Sequence, residues 1–454
     1  MLRLEHHDDC RLLSFQEEQA VRWLMNSHGR ASNVNAAISF AGEISPLLLL
    51  QCVEAACKTY DGPRTRFRPD AQGRLVRHIM PIDACPIEFI VLQHGDAIGD
   101  PAVSAEVAAF CDKPFAFEYE NWLRVLLIHT REGSSVIAMS MPHVIADATS
   151  IRLMISSVWR DYGLLAQGAK PVPRQPRYKL VDFVASQRAW AATPDFSARL
   201  HRLIDCTTSG IAQARRELPS GYASSALQVR PSIAVSQKLP QALCDGLHRI
   251  SRQTQTSLHT VLMSGAMLAL SSLFQRRHLC IRLPFSNRAH QGADDIVGFL
   301  ANDVPMPFAI EEGQDCRSLI RRVQRDTFSM MRFGAVPWAV VKAHIQEASI
   351  RNPFEDYLIN VFPALDDIAA EGPYRARPFP MRFAGFTSND LKVWMQTVNG
   401  QVGLSLRVGA EDRQRAEELY MPEVIRVISA MVEWPDECVG RILDASGVSA
   451  SEAH

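Results

Sequence analysis

The stretch Ser135-Val-Ile-Ala-Met-Ser-Met-Pro-His143-Val-Ile-Ala-Asp147-Ala-Thr-Ser150 decides how this chain folds and what it can do. The largely apolar run up to Met141 is typical of a buried strand, and the apolar residues that recur after Asp147 have the period of a helix. The pattern therefore predicts a histidine at a strand end, directly before a helix. Scaffolds display reactive side chains at such positions, and histidine exchanges a proton near neutral pH. We interpret His143 as the candidate catalytic residue, with a hydrogen-bonded core histidine as the alternative.

Asp147 has two interpretations that the sequence leaves open. An Asp directly before a helix is a preferred N-cap, because its carboxylate accepts hydrogen bonds from the first free backbone amides. The same carboxylate can support the site, and if it is buried it needs a partner. Arg288 follows a strand in the second half of the chain and is the candidate partner. An Asp147–Arg288 pair would tie two lobes together.

The spacing H-x-x-x-D is weak evidence by itself, because it also occurs at His201/Asp205 and His290/Asp294 in a chain with 14 histidines. The residues around His201 have the pattern of an amphipathic helix, and those around His290 form a polar run typical of a loop. Only His143 follows an apolar strand and precedes a helix.

The chain has 454 residues, enough for about two to four folding units. Residues 171–178 contain three prolines among basic residues, which is typical of an exposed connector. We therefore expect a first lobe at 1–170, a linker at 171–178 and a second lobe at 179–454. Apolar helices and strands alternate on both sides, which predicts α/β construction. The clearest expected elements are helices at 46–60, 257–274 and 315–331, and strands at 279–283 and 357–361.

Composition excludes several classes of protein. The 48 basic and 49 acidic residues leave a net charge of -1, which offers no overall field for a nucleic acid. The apolar core at 261–274 is too short to span a bilayer, and the first residues lack the order of a secretory signal, so we expect a cytoplasmic protein without membrane contact.

Motifs for common cofactors are missing as well. There is no glycine-rich phosphate loop, G-x-S-x-G elbow or H-E-x-x-H helix, which argues against nucleotide-binding, serine-esterase and metalloprotease activity. The acidic and histidine cluster at 6–9 could bind a metal, but a solvated chain end is the simpler interpretation. We expect no bound metal.

Six stretches, in order along the chain, resemble the condensation-domain family of nonribosomal peptide synthetases. That family shares the fold of chloramphenicol acetyltransferase and other H-x-x-x-D acyltransferases. The resemblance covers about residues 11 to 445, and ordered matches along the whole chain make it specific. The six stretches are Leu13-Ser14 with the helix to Trp23, Pro63–Phe67, Met141–Ser150, Asn287-Arg288 with Ile296–Pro305, Arg351–Phe354 and Asp390-Leu391.

This sequence departs from the family pattern H-H-x-x-x-D-G while keeping the second histidine and the aspartate. No clear equivalent of the family's late H-x-D-x-P-F is visible around residues 333–338. These departures concern the type of substrate more than the fold. They are Pro142 for the first histidine, Ala148 for the glycine, Glu17 and Gln19 for the usual Gln and Arg, and Asp303 for the Thr after the Asn.

The resemblance implies two chloramphenicol-acetyltransferase-like lobes that form a V-shaped pseudo-dimer with a central tunnel. It implies that the acyl donor is a thioester on the phosphopantetheine of a carrier protein, and that an amine or hydroxyl acceptor reaches the same histidine. His143 would take the acceptor's proton or hold it by a hydrogen bond, without a covalent acyl-enzyme. Asp147 would be structural, paired with Arg288.

The resemblance also suggests where other polar groups line the tunnel. Asn360, Thr387 and Ser388 are candidates, and each could equally satisfy backbone groups. No cofactor bound by the enzyme itself is expected, because the thioester is already activated. The two lobes use up the 454 residues and no G-G-x-S carrier attachment site occurs, so we expect a free-standing, monomeric enzyme that meets its carrier protein in trans.

The function implied is amide or ester formation in nonribosomal peptide or polyketide natural-product biosynthesis. The alternative from another class is an inactive condensation-like module that recruits carrier proteins or tailoring enzymes. Such modules tend to lose the catalytic histidine, which this chain retains. If no carrier protein is involved, a small-molecule acyltransferase that uses coenzyme A is the better account.

Overall fold

A computed structural model gives the architecture of the chain. It describes residues 14–17, 33–72, 75–81, 87–94, 97–115, 122–171, 178–218, 230–289, 292–311, 313–345, 356–362, 376–379, 386–387 and 389–444. Residues 6–9, most of the expected linker, His290, the stretch 351–354 and Ser388 lie outside the described residues.

The described residues form a mixed α/β structure. The strands are β1 (Asn33–Ala41), β2 (Thr65–Pro69), β3 (Leu75–Ile79), β4 (Ile87–His94), β5 (Leu123–Thr130), β6 (Ser134–Pro142), β7 (Arg230–Lys238), β8 (His278–Phe285), β9 (Asn302–Ala309), β10 (Tyr357–Phe362), β11 (Arg377–Pro378), β12 (Phe386–Thr387), β13 (Leu391–Val398) and β14 (Gln401–Gly409). The main helices are α1 (Pro46–Thr59), α2 (Pro101–Asp112), α3 (Ala148–Ala166), α4 (Leu180–Ala191), α5 (Pro194–Arg215), α6 (Gln241–Thr254), α7 (Leu258–Phe274), α8 (Cys316–Met331), α9 (Trp338–His344), α10 (Met421–Glu433) and α11 (Val439–Asp444).

The chain divides into two compact units. Unit 1 comprises the described residues of Met1–Ser197, Ser286–Ala301 and Leu365–Gly385, and unit 2 comprises those of Ala198–Phe285, Asn302–Ala364 and Phe386–His454. The two units therefore do not follow the expected boundary at 171–178. Unit 1 takes in three segments that were expected in the second lobe.

Unit 1 is built on a five-stranded sheet with the order β11-β1-β6-β5-β4, in which only β4 and β5 run parallel. Successive side chains of a strand point to opposite faces. Ile137, Met139 and Met141 of β6 accordingly join the core formed with α1 and α3, while Val136 and Ala138 join a second core with α2. Both faces of β6 are thus covered, which explains its continuous apolar run.

The segment Ser286–Ala301 belongs to unit 1 because of its apolar side chains. Ala293, Ile296 and Leu300 pack against α4 in one buried cluster. Helix α4 lies after the expected linker, and this packing places it in unit 1. Periodicity predicts such elements but not which sheet they cover.

Unit 2 is built on a seven-stranded sheet with the order β12-β7-β14-β13-β10-β8-β9. Leu391, Val393 and Met395 of β13 are buried on the face that carries the helices. The alternate residues Lys392 and Trp394 lie on the opposite face. We call that opposite side of the sheet the polar face; its members in the central strands are Arg282, Leu358, Asn360, Lys392, Trp394, Ser405 and Arg407.

The elements expected from periodicity are confirmed. Helices α1, α7 and α8 and strands β6, β8 and β10 lie within one or two residues of their expected positions. Ser257 and Asp315, at the expected starts of α7 and α8, are their N-caps. The V-shaped arrangement with a central tunnel stays a prediction.

Within the described residues no single helix has the length and apolar character to cross a membrane. Helices α6 and α7 are long and apolar enough only when taken together, and the bend between them is 109°. Helix α7 is buried along nearly its whole length.

Candidate active site

His143 lies where the sequence predicted it, directly after the last residue of β6. Pro142, which ends the strand, accepts a hydrogen bond from the amide of Ile145 (3.1 Å), and this closes the turn that carries the histidine. The imidazole is partly buried and packs edge-on against the ring of Phe299, with 4.6 Å between ring centroids.

Neither ring nitrogen of His143 has a hydrogen-bond partner among the residues that the structure describes, and Nδ1 is fully buried. This differs from the alternative of a hydrogen-bonded core histidine. A buried polar atom without a partner costs free energy, so such atoms concentrate where a function needs them. The ring is held by packing against Phe299.

Asp147 is both an N-cap and an ion-pair partner, so the two interpretations of this residue coexist. Its Oδ1 accepts hydrogen bonds from the amide (2.9 Å) and the hydroxyl (2.8 Å) of Ser150 at the start of α3. Its Oδ2 accepts from the amides of Leu300 (3.2 Å) and Ala301 (3.1 Å). Such multiple hydrogen bonds compensate the desolvation of a buried carboxylate.

Arg288 supplies the positive charge that the sequence predicted for Asp147. Its Nη2 donates to Asp147 Oδ1 at 2.8 Å, and both side chains are nearly inaccessible to solvent (2% and 3% exposed). Its Nη1 donates to the carbonyls of Ala293 (2.7 Å) and Ile296 (2.8 Å). Arg288 follows Asn287, whose φ of 54° turns the chain sharply after β8.

The expected role of this pair as a tie between two lobes is wrong. Arg288 and Asp147 both belong to unit 1, because Ser286–Ala301 packs with α4. The pair instead fastens the segment 286–301 to the turn between β6 and α3. It fixes the backbone on either side of the His143–Phe299 contact.

Ser150 is a residue whose role sequence reasoning missed. The single proton of its hydroxyl is shared between Asp147 Oδ1 (2.8 Å) and the carbonyl oxygen of Gly298 (2.7 Å), and its oxygen accepts from the amide of Gly298 (3.0 Å). Arg288 Nη2 also donates to it (3.1 Å). The available signal was its place three residues after an N-cap aspartate, which allows the local bond but does not reveal the long-range ones.

Asp147 and His143 make no hydrogen bond with each other. The carboxylate contacts the start of α3, Arg288 and the backbone amides of Leu300 and Ala301 instead. Its role as a support of the site stays a prediction.

The three polar residues expected along the tunnel are only partly located. Asn360 lies on the polar face of unit 2, opposite Trp394 in the register of β10 and β13. Thr387 is buried, and its hydroxyl accepts from the amide of Asn389 (3.1 Å), which agrees with the backbone-satisfying alternative. Ser388 is outside the described residues, and the role of all three in a tunnel stays a prediction.

Two departures from the family pattern have local partners. Glu17 forms a fully buried ion pair with Arg77, and the amide of Glu17 donates to the hydroxyl oxygen of Ser14 at 3.1 Å. Asp303 pairs with Arg282 on the neighbouring strand, with 3.4 Å between Oδ2 and Nη1. Each substitution therefore comes with a cation that balances it.

The H-x-x-x-D spacing at residues 201–205 lies on a helix, as its surroundings predicted. His201 and Asp205 lie on the exposed side of α5. No group of three or more potential metal ligands occurs in the described ranges, and the cluster at 6–9 lies outside them.

The fold and the site together define the class of protein. The family model of the condensation domain matches residues 6–431, nearly the whole chain. The chain therefore belongs to the condensation-domain family.

Similar proteins come from nonribosomal peptide synthesis. The chain is 22% identical over 71% of its length to gramicidin S synthase 2 of Aneurinibacillus migulanus, and 22% identical over 93% of its length to phosphinothricin tripeptide synthetase PhsB of Streptomyces viridochromogenes. It spans only 7% and 36% of these relatives, respectively. Their overall activities are thus those of much longer proteins, and the expectation of a free-standing enzyme stays a prediction.

A solved structure shows the same fold. The condensation domain of the Monacolin K polyketide synthase MokA superimposes with a TM-score of 0.77 at 14% identity, over 94% of this chain and 98% of that domain. At such low identity the likeness concerns the fold alone.

Proposed function

We propose that this protein is an acyltransferase that condenses a thioester-bound acyl or peptidyl group with an amine or a hydroxyl. The donor is carried on the phosphopantetheine of a carrier protein. The observation that carries the proposal is the position of His143 at the end of a buried strand in a condensation-domain fold. Its ring nitrogens have no hydrogen-bond partner among the described residues.

His143 acts as the proton acceptor in this proposal. The acceptor's nitrogen or oxygen attacks the thioester carbonyl while its proton passes to the imidazole. The tetrahedral intermediate then collapses, the carbon–sulfur bond breaks, and the imidazolium returns the proton to the departing thiolate. The products are an amide or ester and a free phosphopantetheine thiol, and no acyl-enzyme forms.

Asp147 and Arg288 are positioning residues. Their ion pair, with Ser150, holds the turn at 143–147 and the backbone of 298–301 in one arrangement. Placing a catalytic group accurately contributes much of the acceleration when the substrate is already activated, as a thioester is. A fixed turn therefore suits this reaction without a cofactor.

A reconstitution assay tests the proposal. The full chain is incubated with an acyl-loaded carrier protein and either an amine or a hydroxyl acceptor, and products are identified by intact mass. We expect acyl transfer to one acceptor class, with loss of the acyl group from the carrier. The mass of the product distinguishes amide from ester.

Two other outcomes would contradict the proposal. Binding to the loaded carrier without any transfer would favour the inactive recruitment module. Transfer from acyl-coenzyme A with none from any carrier protein would favour a small-molecule acyltransferase.

A further inference from the structure

The polar face of unit 2 carries a row of cations that the proposed reaction does not use. Arg407 and Lys392 are directly opposite each other on β14 and β13. In the same row, Leu358 of β10 is opposite Lys392 on one side and Arg282 of β8 on the other. Three cationic side chains thus occupy four adjacent strands at one level of the sheet.

This arrangement is unfavourable for the protein alone. Like charges directly opposite each other on neighbouring strands destabilise a sheet. Burial, followed by the charges of Arg407 and Arg282, lowers the pKa of Lys392 from 10.5 to about 7. Asp303 is the carboxylate that opposes these effects, so three cations and one anion leave an excess of two positive charges when all are ionised.

Two of the three cations are also incompletely paired. Arg282 contacts Asp303 (3.4 Å) and Asn389 (3.3 Å) through its terminal nitrogens, yet its Nε is buried and has no acceptor within the described part of the chain. The ammonium of Lys392 has no hydrogen bond or ion pair with the described residues. The third cation, Arg407, is oriented by Ser232, which accepts from its Nε at 2.8 Å.

We propose that the polar face binds an oxyanion, a carboxylate or a phosphate, between Arg282, Lys392 and Arg407. An oxyanion there offsets the excess positive charge and accepts the hydrogen bonds that Arg282 and Lys392 lack. Guanidinium groups suit carboxylate and phosphate because their N–H groups match both geometrically. Leu358 between the cations offers no competing charge.

Two sources supply this chemistry: the phosphate of the phosphopantetheine arm and a carboxylate on the acceptor. This choice rests on the proposed function, whereas the binding itself does not. The binding test therefore uses no acyl transfer, and its failure is distinguishable from failure of the transferase proposal.

The first experiment titrates the full chain with inorganic phosphate and with acetate by calorimetry. We expect saturable binding of at least one anion, weakened tenfold or more in both Arg282→Gln and Lys392→Met. Arg441→Gln is the matched control, because Arg441 is an exposed arginine of unit 2 (78% exposed) that pairs with Glu437, and it should bind like the wild type. Circular dichroism verifies that each variant is folded.

Acetate provides a second readout, since its own charge is constant between pH 6 and 9. The pKa of Lys392 must rise when an anion binds, so binding takes up a proton and acetate affinity should increase as pH falls from 8.5 to 6. Lys392→Met should remove this dependence. Arg407, Arg282 and Asp303 are the charged groups that act on Lys392.

Comparison of phosphopantetheine with pantetheine then identifies the source. If Lys392→Met weakens the binding of phosphopantetheine but not of acetate, the site takes the donor's phosphate. If Lys392→Met weakens the binding of acetate but not of phosphopantetheine, the site takes a carboxylate of the acceptor. If neither anion binds, or if Arg282→Gln and Lys392→Met bind as tightly as Arg441→Gln, the proposal is overturned.

Discussion

The most constrained residue of the site is Asp147, whose two carboxylate oxygens accept five hydrogen bonds from four residues. The sequence predicted both the N-cap and the arginine partner, because each follows from a rule about one carboxylate. It could not predict the amides of Leu300 and Ala301 as donors. Those depend on the path of a segment about 150 residues away.

Removing the Asp147 carboxylate should destabilise the fold. Asp147→Ala leaves the buried Arg288 without its counter-charge, and we expect a loss of about 3–5 kcal/mol in the free energy of unfolding, measured by urea denaturation. Asp436→Ala breaks the exposed pair with Arg317 (Asp436 is 76% exposed) and should cost less than about 1 kcal/mol. Equal losses in the two variants would contradict the structural role of Asp147.

Lys392 should make stability depend on pH. Its pKa is lowered in the folded state, so the unfolded chain binds more protons between pH 7 and 10.5, and stability rises with pH in that window. Lys392→Met should therefore stabilise the protein, on the order of a few kcal/mol at pH 6 to 7, and the gain should shrink steadily towards pH 10.5. Chemical denaturation across this range measures it, and a gain that does not change with pH would contradict the lowered pKa of Lys392.

At the scale of elements, the strand β6 and the helix α3 could be predicted because local periodicity and one N-cap define them. The course of Ser286–Ala301 could not be. Its apolar residues predict burial, but the partner that buries them is α4, far away in the sequence. Pairing between distant elements is set by tertiary packing, which no local pattern contains.

Helix α8 presents an exposed apolar pair in a basic surrounding. Phe328 and Met331 are 60% and 50% exposed, one helical turn apart, and the exposed arginines Arg321 and Arg325 precede them on the helix. Large exposed apolar side chains beside arginines are typical of binding surfaces. We predict that this surface meets the carrier protein.

A double substitution on α8 tests this surface. Phe328→Ser/Met331→Ser should lower kcat/KM for the acyl carrier protein about tenfold or more, because buried aromatic anchors dominate binding energy. The same acyl group on N-acetylcysteamine, which has no carrier, should react at an unchanged rate. Leu47→Ser is the control, since Leu47 is 74% exposed on α1. Equal losses with both donors would place the effect in the fold and not in docking.

At the scale of the whole molecule, the ordered matches along the chain predicted the family and the mixed α/β fold, and both are confirmed. The boundary between folding units was harder to predict. A proline-rich stretch marks an exposed connector, but Ser286–Ala301 and Leu365–Gly385 return to unit 1 from the later part of the chain. Contacts of this kind link distant segments, so composition shifts do not reveal them.

The central claim is that His143 performs the proton transfer of acyl condensation. The most direct measurement is the single-turnover rate of His143→Ala on an acyl-loaded carrier protein, beside His201→Ala, which removes an exposed histidine of the same H-x-x-x-D spacing. We predict that His143→Ala loses about 10²–10⁴-fold in rate while remaining folded, and that His201→Ala reacts like the wild type. A near wild-type rate for His143→Ala would contradict the account.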